Sequence, residues 1–134
     1  MGEPPLAALL IAVAYGVGVV PWGLVVSRWV FDIDLLRHGS QSTGATNALR
    51  VLGWRASLLI FALDFLKGFL PVLLARAVGL GGWWVAAVGI AALVGHCWSP
   101  LIRFRGGKGM ATGAGAAAGM FPWVLLVFPL MVLI

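Results

Sequence analysis

Apolar residues in this chain come in long runs, broken by two short polar stretches. A bilayer span needs about 20 mostly apolar residues in a row, and four segments meet or approach that length: 6–30, 56–75, 79–97 and 112–134. The first carries Pro21 and several glycines, and the third is short and rich in Gly and Ala. The fourth holds Pro122 and Pro129. Proline inside a span predicts a kink, tolerated where neighbouring helices satisfy the freed carbonyls. The first segment is no secretory leader by its pattern, because Met1 to Pro5 contains no basic residue and the apolar run is too long. The pattern predicts an all-α integral membrane protein, one polytopic domain over 1–134 with about four transmembrane helices.

Composition agrees. Of 134 residues, 62% are hydrophobic and 10% are charged, with a mean hydropathy of +1.06. A soluble domain carries about 25% charged residues, so a water-soluble particle is excluded. The net charge of +5 coexists with seven Trp and 19 Gly, which is not the make-up of a basic nucleic-acid module, so no nucleic-acid partner is expected. Most of the tryptophans fall near predicted span ends, where they read as interfacial anchors. Cys97 is the single cysteine, which excludes an intrachain disulfide framework.

The basic residues set an orientation. Arg28, Arg37, Arg50 and Arg55 flank or occupy the connection between spans one and two, and Arg103, Arg105 and Lys108 lie between spans three and four. The turn between spans two and three has only Arg76. The positive-inside bias places the N-terminus outside and both basic loops, 31–55 and 98–111, in the cytoplasm.

Both loops have anion-binding chemistry. In the first, Ser40, Gln41, Ser42, Thr43, Thr46 and Asn47 form a hydroxyl and amide cluster punctuated by Gly39 and Gly44 and closed by Arg50. Such groups donate to phosphate oxygens, and a helix starting near Ala45 would add its N-terminal dipole. The same residue types also serve as plain turn and cap residues. In the second loop Arg103, Arg105 and Lys108 surround Gly106, Gly107 and Gly109, a glycine turn able to bring backbone N–H groups to a phosphate. It is not a Walker A loop, since Ile102 and Gly109 stand where that pattern needs Gly and Ser or Thr.

Two charges lie inside span two. Asp64 and Lys67 are spaced i, i+3 and share a helix face, so they either form a structural ion pair or mark a polar site with Lys67 open to an anion. His96 closes span three, where a lone His is a cap or packing residue as readily as a base. No His, Cys and carboxylate grouping has metal spacing, and no metal or other cofactor is expected. The Gly109-xxx-Gly113 and Gly115-xxx-Gly119 steps put small residues on helix faces for close packing.

The two loops, in this order and spacing, resemble the bacterial acyl-phosphate:glycerol-3-phosphate acyltransferase family (PlsY). The segment GSQSTGATNALR at 39–50 is similar to the family's GSGNxGATNxxR, and LDFLKGFLPV at 63–72 to LDxLKGxLPV. GHCWSPLIRFRGGKGMATGAG at 95–115 is similar to GHxFPxxxxFKGGKGVATGxG. The family's Gly-Asn after the serine is Gln41-Ser42 here, and its third signature, with a His and an Asn, has no counterpart. The resemblance covers nearly the whole chain and implies the N-terminal two-thirds of an enzyme with about seven membrane helices.

That resemblance implies transfer of an acyl group from acyl phosphate to the 1-hydroxyl of sn-glycerol 3-phosphate, giving lysophosphatidic acid for phospholipid biosynthesis. It places the enzyme in the bacterial inner membrane with its site facing the cytoplasm, where contact with the cytosolic enzyme that makes acyl phosphate is expected. The matching positions assign catalysis to Ser40, Arg50, His96 and Lys108. They assign substrate binding to Thr46, Asn47, Lys67, Arg105, Gly106, Gly107, Gly109 and Thr112. The competing classes are a small transporter or channel subunit for an organic anion, which would share the basic loops and the polar pair, and a purely structural subunit.

Overall fold

The computed structural model describes residues 2–127. Its helices, in chain order, are α1 (Glu3–Val19), α2 (Trp22–Phe31), α3 (Ala45–Leu52), α4 (Trp54–Ala77), α5 (Gly82–Cys97) and α6 (Met110–Met120). Short 3₁₀ turns lie at Leu35–Arg37 and Pro100–Ile102. Among the described residues three stretches are long and apolar enough to cross a membrane: Glu3–Phe31, Trp54–Ala77 and Gly82–Ile102.

The expected fourth span, 112–134, is not one continuous helix in its described part. Helix α6 ends at Met120, Phe121 turns extended (φ −131°, ψ 90°), and helical structure restarts only at residue 124. Pro122 is the reason: its ring disfavours helical geometry at the residue before it and it has no N–H to give. Residues 128–134 of that expected span lie outside the described residues.

The first span is broken as well. Pro21 separates α1 from α2, and two side chains from distant elements take up the carbonyls at the break. Ser99 Oγ donates to Val19 O at 2.6 Å, and Lys67 Nζ donates to Val20 O at 2.8 Å. Such repair is needed wherever no water can reach a freed backbone group.

Small residues let the helices approach closely. A side chain at Gly18 would strike the Ala92 backbone, and one at Gly95 would strike Tyr15 and Val19, which fixes α1 against α5. A side chain at Gly68 would meet Thr112 O, and one at Gly115 would meet Phe65 O, which fixes α4 beside α6 running in the same direction. Gly119 packs on Val72 in the same seam, whereas Gly113 meets only Leu93 at van der Waals distance. The core between α1, α4 and α5 is Ala7, Leu10, Ala14, Val72, Val88 and Ala92. A second cluster of Val26, Leu35, Ala48 and Ile60 packs under the first loop. Leu58, Leu70, Leu74 and Ile90 point outward, as do Trp29, Trp54, Trp83, Trp98 and Trp123. An outward apolar face of this kind suits lipid as the surrounding medium.

Candidate functional site

The first loop is built around Asn47. Its Oδ1 accepts from Ser40 N at 2.9 Å, and its Nδ2 donates to Leu35 O, His38 O and Ser42 O at 3.1, 3.0 and 2.8 Å. The side chain is 1% exposed. Asn47 therefore has no free donor to offer a substrate: the amide expected to bind one is committed to holding the loop. Gly39 adopts a left-handed conformation (φ 59°) directly over that amide, where any Cβ would collide with Asn47 Oδ1.

Upstream, Asp34 anchors the loop to α2. Its carboxylate lies 2.7 Å from Arg28 Nη2 and accepts from Leu36 N at 2.9 Å. The hydrogen bond from Arg28 holds the Asp34 carboxyl below the usual carboxylate range, against a smaller opposing effect of burial. Gly23 on α2 seats against the Thr43 carbonyl, with no room for a side chain.

The second loop folds back over the end of α5. Gly106 N donates to Cys97 O at 3.2 Å, and Phe104 N to Ser99 O at 2.9 Å. A Cβ at Gly106 would strike the His96 and Cys97 carbonyls, and one at Gly107 would stand against His96 Nε2. Gly109 is left-handed (φ 76°) and faces Leu93 and Cys97 Sγ. These three glycines are therefore required by close approach to α5.

Between the loops lies a cavity of about 130 Å³. Ser42, Gly44, Ala45 and Thr46 line it from the first loop and the start of α3, and Lys108, Gly109, Met110 and Ala111 from the second loop and the start of α6. Phe61 and Asp64 of α4 and His96 of α5 complete it. Asp64 Oδ1 lies 2.9 Å from Lys67 Nζ and 3.6 Å from His96 Nδ1, and all three side chains are buried. Lys108 is exposed at the mouth, with no ion-pair partner among the described residues. A helix N-terminus, an ammonium, a histidine and two hydroxyls around one small space are groups able to donate to an anion, and the Asp64 carboxylate beside them is paired with Lys67.

The profile of one known family, described as glycerol-3-phosphate acyltransferase, matches residues 8–134. The chain belongs to this family. A glycerol-3-phosphate acyltransferase of Rubrobacter xylanophilus is 48% identical over 117 residues, covering 87% of this chain and 58% of that protein. One from Thermus thermophilus is 42% identical over 125 residues, covering 92% of this chain and 62% of that protein. Among solved structures, PlsY (YgiH), described as an integral membrane glycerol 3-phosphate acyltransferase in its glycerol 3-phosphate form, superposes with a TM-score of 0.84 at 38% identity, covering 91% of this chain and 62% of that one. Its lysophosphatidic acid form gives 0.78 at 36% identity, covering 91% of this chain and 61% of that one. The chain thus spans about three-fifths of the length of these acyltransferase relatives. All-helical, integral membrane architecture holds for it as for them.

In this member of the acyltransferase family the signature residues are placed in different settings. Thr46, His96, Lys108 and Gly109 line the cavity together. Ser40, Arg50 and Arg105 are exposed at the same end of the bundle and outside the lining. Arg50 lies one turn beyond Thr46 on α3, hence on the same helix face. Gly106 and Gly107 pack on α5. Lys67 sits behind Asp64 and bonds Val20, so it is not free for an anion. Thr112 is fully buried in the first turn of α6, and its Oγ1 has no hydrogen-bond partner among the described residues. Sequence reasoning left Ser42 and Asp64 off the site. Asp64 did carry a signal, as a carboxylate inside an apolar helix; Ser42 stood undistinguished among neighbouring hydroxyls.

Proposed function

We propose that this chain forms the substrate-binding and acyl-transferring part of a membrane enzyme that moves an acyl group from acyl phosphate to the 1-hydroxyl of sn-glycerol 3-phosphate. The products are lysophosphatidic acid and inorganic phosphate. One observation carries the reading: the polar cavity shares Phe61 with an apolar groove of about 440 Å³ between α4 and α6, also lined by Leu58, Phe65, Ala114 and Leu125. Phe61 and Phe65 stack at 6.1 Å between ring centroids, forming an aromatic wall along α4. A polar cavity beside an apolar groove, with Phe61 between them, suits an amphiphile with an anionic head and an acyl tail.

In the reaction the acceptor hydroxyl oxygen attacks the acyl carbonyl carbon, forming the ester bond. The bond from that carbon to the phosphate oxygen breaks, and phosphate leaves with the electron pair. His96, which lines the cavity, takes the hydroxyl proton. Lys108 and the α6 N-terminus neutralise phosphate, while Ser42 and Thr46 donate to substrate oxygens. Arg50, Ser40 and Arg105 act at the mouth, Arg50 reaching in from the Thr46 face of α3. Gly106, Gly107 and Gly109 leave the space the loop needs, and Thr112 offers its hydroxyl beneath the α6 N-terminus.

The basic loops face the cytoplasm and the N-terminus lies outside, in a bacterial inner membrane. Seven of the nine Lys and Arg residues flank or occupy those loops, which supports this orientation. A cytosolic enzyme producing acyl phosphate would deliver it on that side. The test is a lipid-product assay with acyl phosphate and labelled glycerol 3-phosphate. It is run in proteoliposomes on this chain and on a chimera carrying the C-terminal third of the Rubrobacter relative. Labelled lysophosphatidic acid is expected. Its absence from both proteins, or flux of the label without product, overturns the reading.

A further inference from the structure

At the end of the bundle away from the two basic loops, the α4–α5 turn and the end of α6 border a groove of about 660 Å³. Arg76, Leu80, Trp83, Ala86, Met120 and Phe121 are among its lining residues. Arg76 is the only Lys or Arg at this end among the described residues. Its Nη1 donates to Gly119 O at 2.8 Å, which fixes the guanidinium beside the end of α6. A guanidinium has several N–H donors in a rigid fork, so donors remain for a ligand. Arg76 is exposed and has no ion-pair partner among the described residues. The one carboxylate described at this end, Glu3, stands beside Gly81 and does not line the groove.

We propose that this groove holds one anionic phospholipid of the leaflet opposite the basic loops, its phosphate on Arg76 and one acyl chain along the apolar wall. Depth agrees. Helix α4 has 24 residues, about 36 Å at 1.5 Å each, against a hydrocarbon core of about 30 Å. Arg76, in its last turn, therefore reaches headgroup depth. Trp83, 91% exposed, shares that level as interfacial tryptophans do. Ala86 and the Met120 side chain, which reaches Gly89, lie a turn or two deeper along α5 and give the chain an apolar slot. Charge decides between occupants. A second copy packed through the same groove by two-fold symmetry would bring both Arg76 side chains to one interface, and an uncharged tail alone would leave the guanidinium unanswered. A phosphodiester answers it and carries a tail that the groove accepts. The site lies at the other end of α6 from the cavity between the loops, so it does not depend on the acyl-transfer reading.

Four methionines give the chain four methyl reporters. Met120 lines this groove and Met110 the cavity between the loops, so one spectrum separates the two ends. The full chain, labelled with methyl-¹³C methionine in neutral detergent micelles, is titrated with dioleoyl phosphatidylglycerol, and separately with dioleoyl phosphatidylcholine and inorganic phosphate. Met120→Leu and Met110→Leu assign the signals. The Met120 methyl should shift saturably with phosphatidylglycerol, at a lower midpoint than with phosphatidylcholine. Arg76→Gln should raise the phosphatidylglycerol midpoint about tenfold, the worth of one charge-assisted hydrogen bond. Arg76→Lys keeps the cation and should keep most of the affinity. Ala86→Phe fills the groove with Arg76 in place and should weaken both lipids. If Arg76→Gln loses its fold, a displaced Met110 signal reveals it, and Arg76→Lys and Ala86→Phe decide. A Met120 signal indifferent to phosphatidylglycerol, equal midpoints for the two lipids, or one midpoint shared by wild type and the folded Gln and Phe variants overturns the proposal. So does a Met120 shift given by inorganic phosphate alone, or a dimer in light scattering that Ala86→Phe dissociates.

Discussion

Ser99 Oγ donates to Val19 O at 2.6 Å across 80 positions of sequence, with Ser99 1% exposed. This bond joins the start of the second loop to the break in the first span. Replacing Ser99 by Ala leaves a buried carbonyl without a donor, at a cost of about 1–3 kcal/mol. Thermal unfolding in detergent should register the loss. Unchanged stability would mean that the carbonyl finds another donor.

Asn47→Ala removes four hydrogen bonds that close the first loop. At about 0.5–1.5 kcal/mol each, the loss is roughly 2–6 kcal/mol, concentrated in the loop. Limited proteolysis should cut 35–47 far faster than in wild type while the three long helical stretches stay protected. Equal cleavage rates would contradict the role given to Asn47.

Lys108→Ala should lower acyl transfer about 10²–10³-fold, the usual cost of removing one preorganised donor from developing charge. Arg50→Ala should also cut transfer heavily, with a larger share of the effect in KM, because Arg50 is exposed outside the lining. That share should shrink as salt is raised, since exposed charges are screened. Wild-type turnover in both variants would remove these residues from the site.

Asp34 makes the first loop sensitive to acid. Its folded-state pKa is lowered, first by the hydrogen bond from Arg28, so its contribution is fully present above the unfolded value of about 3.9 and is lost as pH falls through the lower folded value. Hydrogen exchange in 33–42, taken relative to the intrinsic amide rate at each pH, should accelerate below about pH 4 in wild type. In Asp34→Asn it should be faster at neutral pH already, and flatter with acid.

Much of this was legible in the chain, for identifiable reasons. The apolar runs gave the long helices because a bilayer demands length and little else. The i, i+3 spacing of Asp64 and Lys67 gave their pairing because it sets both side chains on one helix face. What sequence could not give was the direction in which polar groups point. Asn47 reads as a donor for a ligand in composition, yet its amide is spent on its own loop. The glycines of the second loop look like freedom for a phosphate, yet each meets an atom of α5. Pro122 ends α6 where hydropathy continues unbroken, because apolarity does not register a missing N–H.

The break at Val20–Pro21 has a mechanical consequence. Its two carbonyls are held by Ser99, at the root of the second loop, and by Lys67, in the middle of α4. On the far side of the break, α2 carries the first loop through Gly23 and through the Arg28–Asp34 bridge. The break is thus a shared pivot. A swing of the first loop about it pulls on the residues that frame His96 and Asp64, and slackening either anchor strands a carbonyl in a medium with no water to receive it.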